Sequence, residues 1–200
     1  MQVSVTPMSP SFSVDWFSRN IPSFQRHLTP YAGKPNLHFL EIGSFEGRST
    51  CWLLDYILTG PESSITCVDT WEGSMEHQPG QKASLWETFN HNLSSYPSER
   101  MKIRRGRSCE RLREIPFDSM DFIYVDGSHT TRDVLSDAVL SFDLLKTGGV
   151  MAFDDYLWQG YPNQPLLNPK TGIDAFLVCY QGRYELLERD YIIFIRKTRD

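Results

Sequence analysis

The chain has 200 residues, of which 40% are hydrophobic and 22% are charged, and its formal net charge is −5. That length suits one domain, or one domain with a small cap, built around a single large core. The acidic balance does not suggest a nucleic-acid binder, which usually shows a basic stripe, and no apolar run reaches the roughly 18 residues of a membrane helix. We therefore expect neither nucleic acid nor a membrane as a partner.

The cysteines are few and far apart in the sequence, at Cys51, Cys67, Cys109 and Cys179. No CxxC pair is present, so the pattern argues against a zinc site. Three of the four lie within apolar runs, as buried thiols do, and this usage is typical of a reducing compartment. We therefore expect a cytoplasmic location.

The N-terminal part of the chain differs from the rest. Residues 1–11 are rich in Ser, Pro and Thr and predict a loose tail, whereas the apolar spacing of residues 12–28 predicts a helix that Pro22 breaks into two short pieces. Its aromatic face is expected to pack on the domain, with a cover over the ligand site as the alternative. We assign residues 1–35 to a tail and helical cap, and residues 36–200 to the main domain.

The stretch Leu37–Thr50 predicts a buried strand, a loop with glycines at 43 and 47, and the start of a helix. Its GxxxG spacing matches neither the dinucleotide fingerprint nor a phosphate-binding P-loop. A glycine-lined turn beside a helix N-terminus still suits a carboxylate, to which Ser49 could donate its hydroxyl. The alternative is a tight strand–helix turn without a ligand.

The next predicted strand, Ser64–Asp69, ends in an acid. A carboxylate there can accept both hydroxyls of a ribose, and the alternative is an aspartate that caps the loop. A polar loop over Trp71–Lys82 and a helix over Ser84–Ser94 follow.

The remaining elements continue the alternation of strand and helix. They are a strand at Met101–Arg105, a short helix at Cys109–Ile115, a strand at Met120–Asp126, a helix at Thr130–Leu145, a strand at Val150–Phe153, a long loop at Tyr156–Gly172, a helix at Ile173–Tyr180, and two strands at Tyr184–Glu188 and Tyr191–Lys197. The Thr130 helix begins with a capping-box pattern and is expected to end at Gly148-Gly149. The last strand is expected to lie antiparallel at the sheet edge.

This alternation predicts an α/β fold with a mainly parallel seven-stranded sheet, an antiparallel edge strand and helices on both faces. Ligands of such sheets bind at the carboxyl ends of the strands. The polar residues and glycines that fall at those ends are Glu41, Gly43, Asp69, Gly106, Asp126, Asp154 and Asp155. Their concentration at one edge predicts an active site there.

Asp126, Asp154 and Asp155 should converge, because the strands that they follow are expected to be neighbours. Unpaired carboxylates repel each other. Either one of them would take up a proton, or the three would bind a divalent cation such as Mg²⁺. The alternative is that Asp126 contacts a cofactor while the other two cap the next loop.

His129 lies three residues beyond Asp126, at the top of the same strand. An imidazole is suited to removing a hydroxyl proton at neutral pH. Capping of the helix that starts at Thr130 is the alternative role.

The segment Glu41–Thr50 resembles motif I of the class I S-adenosylmethionine-dependent methyltransferases. The resemblance is closest to the catechol-type and caffeoyl-CoA-type branch and to small sugar O-methyltransferases (methyltransferase family 24). It runs from about Leu37 to Asp155, with Asp69, Gly106-Arg107-Ser108, Val125–His129 and Gly148–Asp155 in matching order. It implies a Rossmann-like fold.

The resemblance also implies roles for individual residues. The donor S-adenosylmethionine would be held by Glu41, Gly43, Ser44, Gly47, Ser49, Asp69, Ser108 and Asp126. A metal, expected to be Mg²⁺, would be held by Asp126, Asp154 and Asp155, with Asp155 standing where catechol-type enzymes usually carry Asn. The catalytic residues would be Asp126 and His129. His129 stands where those enzymes carry a lysine base.

We therefore expect methyl transfer to a hydroxyl of a small molecule or sugar, assisted by a divalent cation. The alternatives are a metal-independent N-methyltransferase, an NAD-dependent oxidoreductase on the same sheet and a non-catalytic cofactor-binding module. The expected partner is a small-molecule acceptor, and a homodimer remains open beside a monomer.

Overall fold

A computed structural model describes residues 9–74 and 84–200. The strands are β1 (His38–Ile42), β2 (Ser64–Asp69), β3 (Met101–Arg105), β4 (Met120–Val125), β5 (Leu145–Phe153), β6 (Tyr184–Arg189) and β7 (Ile193–Lys197). The α-helices within the described ranges are α1 (Ile21–Leu28), α2 (Arg48–Tyr56), α3 (Leu85–Leu93), α4 (Ser108–Arg111), α5 (Thr131–Leu144) and α6 (Pro169–Cys179). Most of the predicted tail and most of the predicted loop Trp71–Lys82 lie outside the described residues.

The seven strands form one sheet in the order β3-β2-β1-β4-β5-β7-β6. The first five are parallel, β7 runs antiparallel to β5, and β6 pairs with β7 as the outermost strand. The predicted fold class is therefore confirmed. The expectation that the last strand lies at the sheet edge is wrong, because β7 pairs with both β5 and β6, and β6 forms the edge. None of the helices in the described part of the chain is both long and apolar enough to cross a membrane.

Alternation along the central strands builds a core on each face of the sheet. On β4, Phe122 and Tyr124 contribute to one buried cluster, and Ile123 and Val125 contribute to the other. Both faces of the strand are buried because successive side chains of a strand point to opposite faces and helices cover both. The near-continuous apolar sequence of β4 reflects this double burial.

The end of α5 at Leu144 lies one residue before the predicted Leu145, but the expected stop at Gly148-Gly149 is wrong, because these glycines lie within β5. The strand begins at Leu145 and not at the predicted Val150, because Leu145 is fully buried and pairs with Met120 on β4. The start of the helix is as predicted, since the Thr130 side chain accepts a hydrogen bond from the backbone N–H of Asp133.

Two prolines lie at helix starts instead of breaking helices. Pro22 is in the first turn of α1, after a short 3₁₀ turn at Ser18–Asn20, so the two predicted helical pieces meet before it. Pro169 begins α6, which therefore starts four residues before the predicted Ile173. Proline is tolerated there because first-turn N–H groups have no partner within the helix.

The ends of β1 and β4 approach each other closely. Gly43 has φ +86°, and a Cβ atom at this position would lie 1.9 Å from the carbonyl oxygen of Asp126. The Asp126 N–H donates to the Ile42 carbonyl at 2.8 Å, and the Gly43 N–H donates to the Val68 carbonyl at 2.9 Å. Hydrogen bonds therefore hold the strand ends at a spacing that leaves no room for a side chain at residue 43.

We predict that Gly43→Ala destabilises the fold far more than Gly148→Ala. Gly148 also has a positive φ, +87°, but no heavy atom of the described chain lies within 4 Å of the place its Cβ would take. Gly148→Ala should therefore lower the stability by only the cost of the strained backbone, about 1 kcal/mol. Gly43→Ala must in addition push β1 away from β4. Thermal unfolding measures both, and equal losses would contradict the close approach.

Candidate active site

A cavity of about 710 Å³ opens where the carboxyl ends of β1–β5 meet, and a smaller one of about 50 Å³ lies beside the loop after β1. The larger volume is in the range of pockets that hold small molecules. The predicted site residues on its wall are Gly43, Asp69, Ser108, Asp126, His129, Asp154 and Asp155. Ser44 and Ser49 line the smaller cavity, whose wall shares Gly43 and Asp126 with the larger one.

The loop after β1 is shaped by residues with positive φ. Gly47, at φ +82°, is the N-cap of α2, and Phe45 is also in the left-handed region at φ +48°. Glu41 lies beneath this loop, fully buried, and accepts a hydrogen bond from the Thr50 hydroxyl. Burial raises the pKa of Glu41, and the hydroxyl groups around it, including that of Ser49, offset part of the rise.

Asp69 caps the neighbouring loop and also lines the large cavity. Its carboxylate accepts hydrogen bonds from the backbone N–H of Phe45 at 2.9 Å and of Trp71 at 2.8 Å. The two roles that the sequence left open for Asp69 are therefore compatible. The contacts fix the carboxylate at the end of β2, on the wall of the large cavity.

The carboxylates of Asp126 and Asp154 are crowded. Burial, and then the charges of Asp154 and Asp155, raise the pKa of Asp126 well above its usual value. Burial and Asp155 raise the pKa of Asp154 to about 6. Asp154 also accepts hydrogen bonds from the Tyr124 hydroxyl and, at 2.6 Å, from the side-chain amide of Asn20.

Asp155 sits at the centre of a network of charged and polar groups, with its backbone in the left-handed region at φ +57°. One oxygen accepts from the Tyr191 hydroxyl at 2.8 Å and pairs with Arg19 at 3.0 Å, and the other lies 2.9 Å from His129 Nε2. Burial alone would raise the pKa of Asp155, but these partners hold it below its usual value. The His129 ring also packs against Trp158, with centroids 4.4 Å apart.

One group of side chains could hold a metal ion. Ligand atoms of Asp126, His129 and Asp155 lie within 4.8 Å of one another. Carboxylate oxygens suit hard cations such as Mg²⁺, and an imidazole nitrogen extends the set toward transition metals. Of the three predicted ligands, Asp126 and Asp155 therefore lie together with His129. The third, Asp154, accepts a hydrogen bond from Asn20.

The N-terminal segment both packs on the domain and covers the site. Phe24 is fully buried in the core, whereas Trp16 and Arg19 lie on the wall of the large cavity. Glu46, inside the glycine-spaced loop, holds this segment: its two oxygens accept from the backbone N–H and the hydroxyl of Ser13 at 2.7 and 2.6 Å. The packing of the segment on the domain is therefore confirmed, and the segment also contributes two side chains to the cavity wall.

Comparison with known protein families decides the assignment. The family model described as a methyltransferase domain matches residues 40–156, which is more than half of the chain. The chain belongs to the class I S-adenosylmethionine-dependent methyltransferases. No curated protein sequence matches it.

Solved structures share the fold of this methyltransferase. A putative rRNA-methylase from Clostridium thermocellum has a TM-score of 0.68 at 12% identity. The superposition covers 90% of this chain and 97% of the rRNA-methylase chain. The MycE methyltransferase of the mycinamycin biosynthetic pathway, in complex with Mg, S-adenosylhomocysteine (SAH) and mycinamycin VI, has a TM-score of 0.62 at 18% identity, covering 94% and 51%. A putative caffeoyl-CoA O-methyltransferase from Staphylococcus aureus has a TM-score of 0.59 at 18% identity, covering 92% and 84%.

Several residues of the candidate site could not be recognised from the sequence. The contacts of Arg19 and Asn20 could not be predicted, because the carboxylates that they contact are more than a hundred positions away in the sequence. The sequence does not indicate the contact of Glu46 with Ser13, because Glu46 resembles a spacer between two glycines. Asp137 did leave a signal, because it falls on the buried stripe of α5, three residues after Val134.

Asp137 is 2% exposed and lies on the wall of the large cavity. Burial raises its pKa to about 7, and the Ser108 hydroxyl offsets part of that rise while the charge of Asp133 adds to it. The folded methyltransferase therefore holds this proton at pH values where the unfolded chain has already released it.

We predict that Asp137→Asn raises the melting temperature, and more so at pH 8 than at pH 4.5. As the pH rises from about 4 to about 7, the unfolded chain loses the Asp137 proton first, which costs the wild-type fold up to about 4 kcal/mol. The Asn side chain removes this cost while keeping the shape. Thermal unfolding at both pH values measures it, with Asp143→Asn, at an exposed position of α5, as the control. The same difference in melting temperature between wild type and Asp137→Asn at both pH values would contradict the raised pKa of Asp137.

Proposed function

We propose that this methyltransferase moves a methyl group from S-adenosylmethionine to a hydroxyl of a small molecule or sugar, with a divalent cation bound beside the acceptor. The observation that carries the proposal is the position of Asp126. It lies on the walls of both cavities, between the loop after β1 and the His129–Asp155 pair. A donor and an acceptor bound on its two sides would meet there.

The donor side of the proposal rests on the loop after β1 and on the end of β2. Ser44 and Ser49 line the small cavity beside the start of α2, where backbone N–H groups and the helix dipole favour a carboxylate. Asp69 would accept the hydroxyl groups of the ribose, and Ser108 lies further along the same cavity wall. This order matches an amino acid, a ribose and a base laid across the strand ends.

On the acceptor side, Asp126, Asp154 and Asp155 would hold the cation. Hydrogen bonds from Asn20 to Asp154 and from Tyr191 to Asp155 orient these carboxylates, as partners of metal ligands usually do. A bound divalent cation would supply Lewis acidity that lowers the pKa of an acceptor hydroxyl.

His129 is proposed as the base that takes the hydroxyl proton while the acceptor oxygen forms its bond to the methyl group and the sulfonium C–S bond breaks. Its pairing with Asp155 at 2.9 Å would stabilise the imidazolium that results. The protein otherwise acts by positioning the reactants and excluding water.

Further features support the choice of acceptor and location. The acceptor end of the cavity is lined by aromatic rings, Trp16, Trp158 and Tyr161, which suit a ring-shaped small molecule. The MycE methyltransferase, which has a similar fold, is in complex with Mg, SAH and mycinamycin VI, and this supports a cation beside a small-molecule acceptor. All four cysteines are free thiols, and we include a cytoplasmic location in the proposal.

The cofactor part of the proposal is tested by calorimetric titration with SAH and with NAD. We expect SAH to bind and NAD not to bind. Ser49→Ala should weaken SAH binding about tenfold, as the loss of one hydrogen bond to a charged group does, whereas Ser119→Ala, outside both cavities, should leave it unchanged. Binding of NAD alone would show that the assignment of the donor is wrong.

The metal part is tested by titrating Mg²⁺ into the SAH-loaded protein. We expect Asp126→Asn to abolish the Mg²⁺ signal, and His129→Gln to keep it while lowering the rate of methyl transfer by roughly 10²-fold or more. His91→Gln on α3 is the matched control and should change neither. Loss of Mg²⁺ binding in His129→Gln would instead make the imidazole a ligand, which the close grouping with Asp126 and Asp155 allows.

A further inference from the structure

Arg19 brings a permanent positive charge to the acid cluster formed by Asp126, Asp154 and Asp155. Its Nη2 atom lies 3.0 Å from Asp155 Oδ1, and the guanidinium packs over the Tyr191 ring, 4.0 Å from the ring centroid. Within residues 9–74 and 84–200, no lysine and no other arginine pairs with an acid of this cluster. The charge that balances the cluster therefore comes from the N-terminal segment.

Both oxygens of Asp155 already have partners. Arg19 and the Tyr191 hydroxyl donate to Oδ1 at 3.0 and 2.8 Å, and His129 Nε2 lies 2.9 Å from Oδ2. A divalent cation held by Asp126 and Asp155 needs one of these oxygens. The cation and the guanidinium would then share one carboxylate, and like charges so close together repel each other.

The Arg19 side chain is able to leave this position. It is 48% exposed, whereas the side chain of Asp155 is 10% exposed. An ion pair with an exposed partner contributes little, so breaking it costs little. The backbone need not follow the side chain, because the Asn20 amide donates to Asp154 at 2.6 Å and Phe24 is buried in the core.

We propose that Arg19 is a built-in counterion of the acid cluster that a divalent cation displaces, so that Arg19 lowers the affinity of the site for metal. This inference rests on the proposed function, because it needs a cation at these acids. A divalent ion brings twice the charge of the guanidinium and gains by the exchange. A monovalent ion brings only the same charge and does not.

The exchange links the metal to the acceptor end of the cavity. Arg19 and Trp16 belong to the N-terminal segment, and both lie on the wall of the large cavity. Coupling between two contacts is reciprocal, so a cation that is weakened by the Arg19–Asp155 pair weakens that pair by the same factor. The metal-free protein holds the guanidinium against Asp155, and the metal-bound protein releases it along this wall.

The test is calorimetric titration of Mg²⁺ into the SAH-loaded wild type and three variants. Arg19→Gln removes the charge and should bind Mg²⁺ at least about fivefold more tightly than wild type, the lower end of usual coupling between sites. Arg19→Lys keeps the charge and should bind like wild type. Arg26→Gln is the matched control, because Arg26 lies on the same segment but pairs with Glu188 at 2.7 Å, and it should also bind like wild type.

Thermal unfolding first establishes that each variant is folded. Equal affinity of wild type and Arg19→Gln would overturn the inference and leave the proposed function standing. Weaker binding by Arg19→Gln would also overturn it, because a guanidinium that only orients Asp155 predicts that result. The same gain in Arg19→Lys or in Arg26→Gln would overturn it too, since the charge at residue 19 would not be the cause. Absence of a Mg²⁺ signal from all four proteins would overturn the metal part of the proposed function, and the inference with it.

Discussion

The site depends on the close approach of β1 and β4 at Gly43. Because no side chain stands between Gly43 and the Asp126 carbonyl, the loop after β1 and the loop after β4 share one wall. Asp126 consequently faces both cavities. A single steric constraint therefore brings together a loop suited to an amino-acid carboxylate and a group of acids suited to a cation.

Electrostatics explains why the N-terminal segment is part of this site. Three acids at the ends of β4 and β5 would repel one another if each were charged and unpaired. Arg19 and Asn20 reach two of these acids, Asp155 and Asp154, from outside the sheet. Beside the loop after β1 the segment is held by Glu46 and by the packing of Trp16 on Phe45, with ring centroids 5.1 Å apart. The segment thus touches both halves of the site, although the boundary drawn at residue 35 remains a prediction.

Much of this arrangement could be predicted from sequence because it depends on local patterns. Parallel strands have their carboxyl ends at one edge, so the acids at positions 69, 126, 154 and 155 could be placed on one site without a structure. The start of β5 could not, because pairing of Leu145 with Met120 begins the strand before the two glycines that suggest a turn. The contacts of Arg19 and Asn20 could not either, since they join parts of the chain with no local relation. Asp137 was predictable in principle from a polar residue on an apolar stripe.

A crystal structure of the protein with SAH would test the proposed donor site most directly. We expect the ligand to lie across the strand ends, with its amino-acid end beside Ser49, its ribose at Asp69 and its base toward Ser108. That orientation would leave the sulfur facing Asp126. Ligand density outside the large cavity, or with the base at the Ser49 end, would contradict the proposed site.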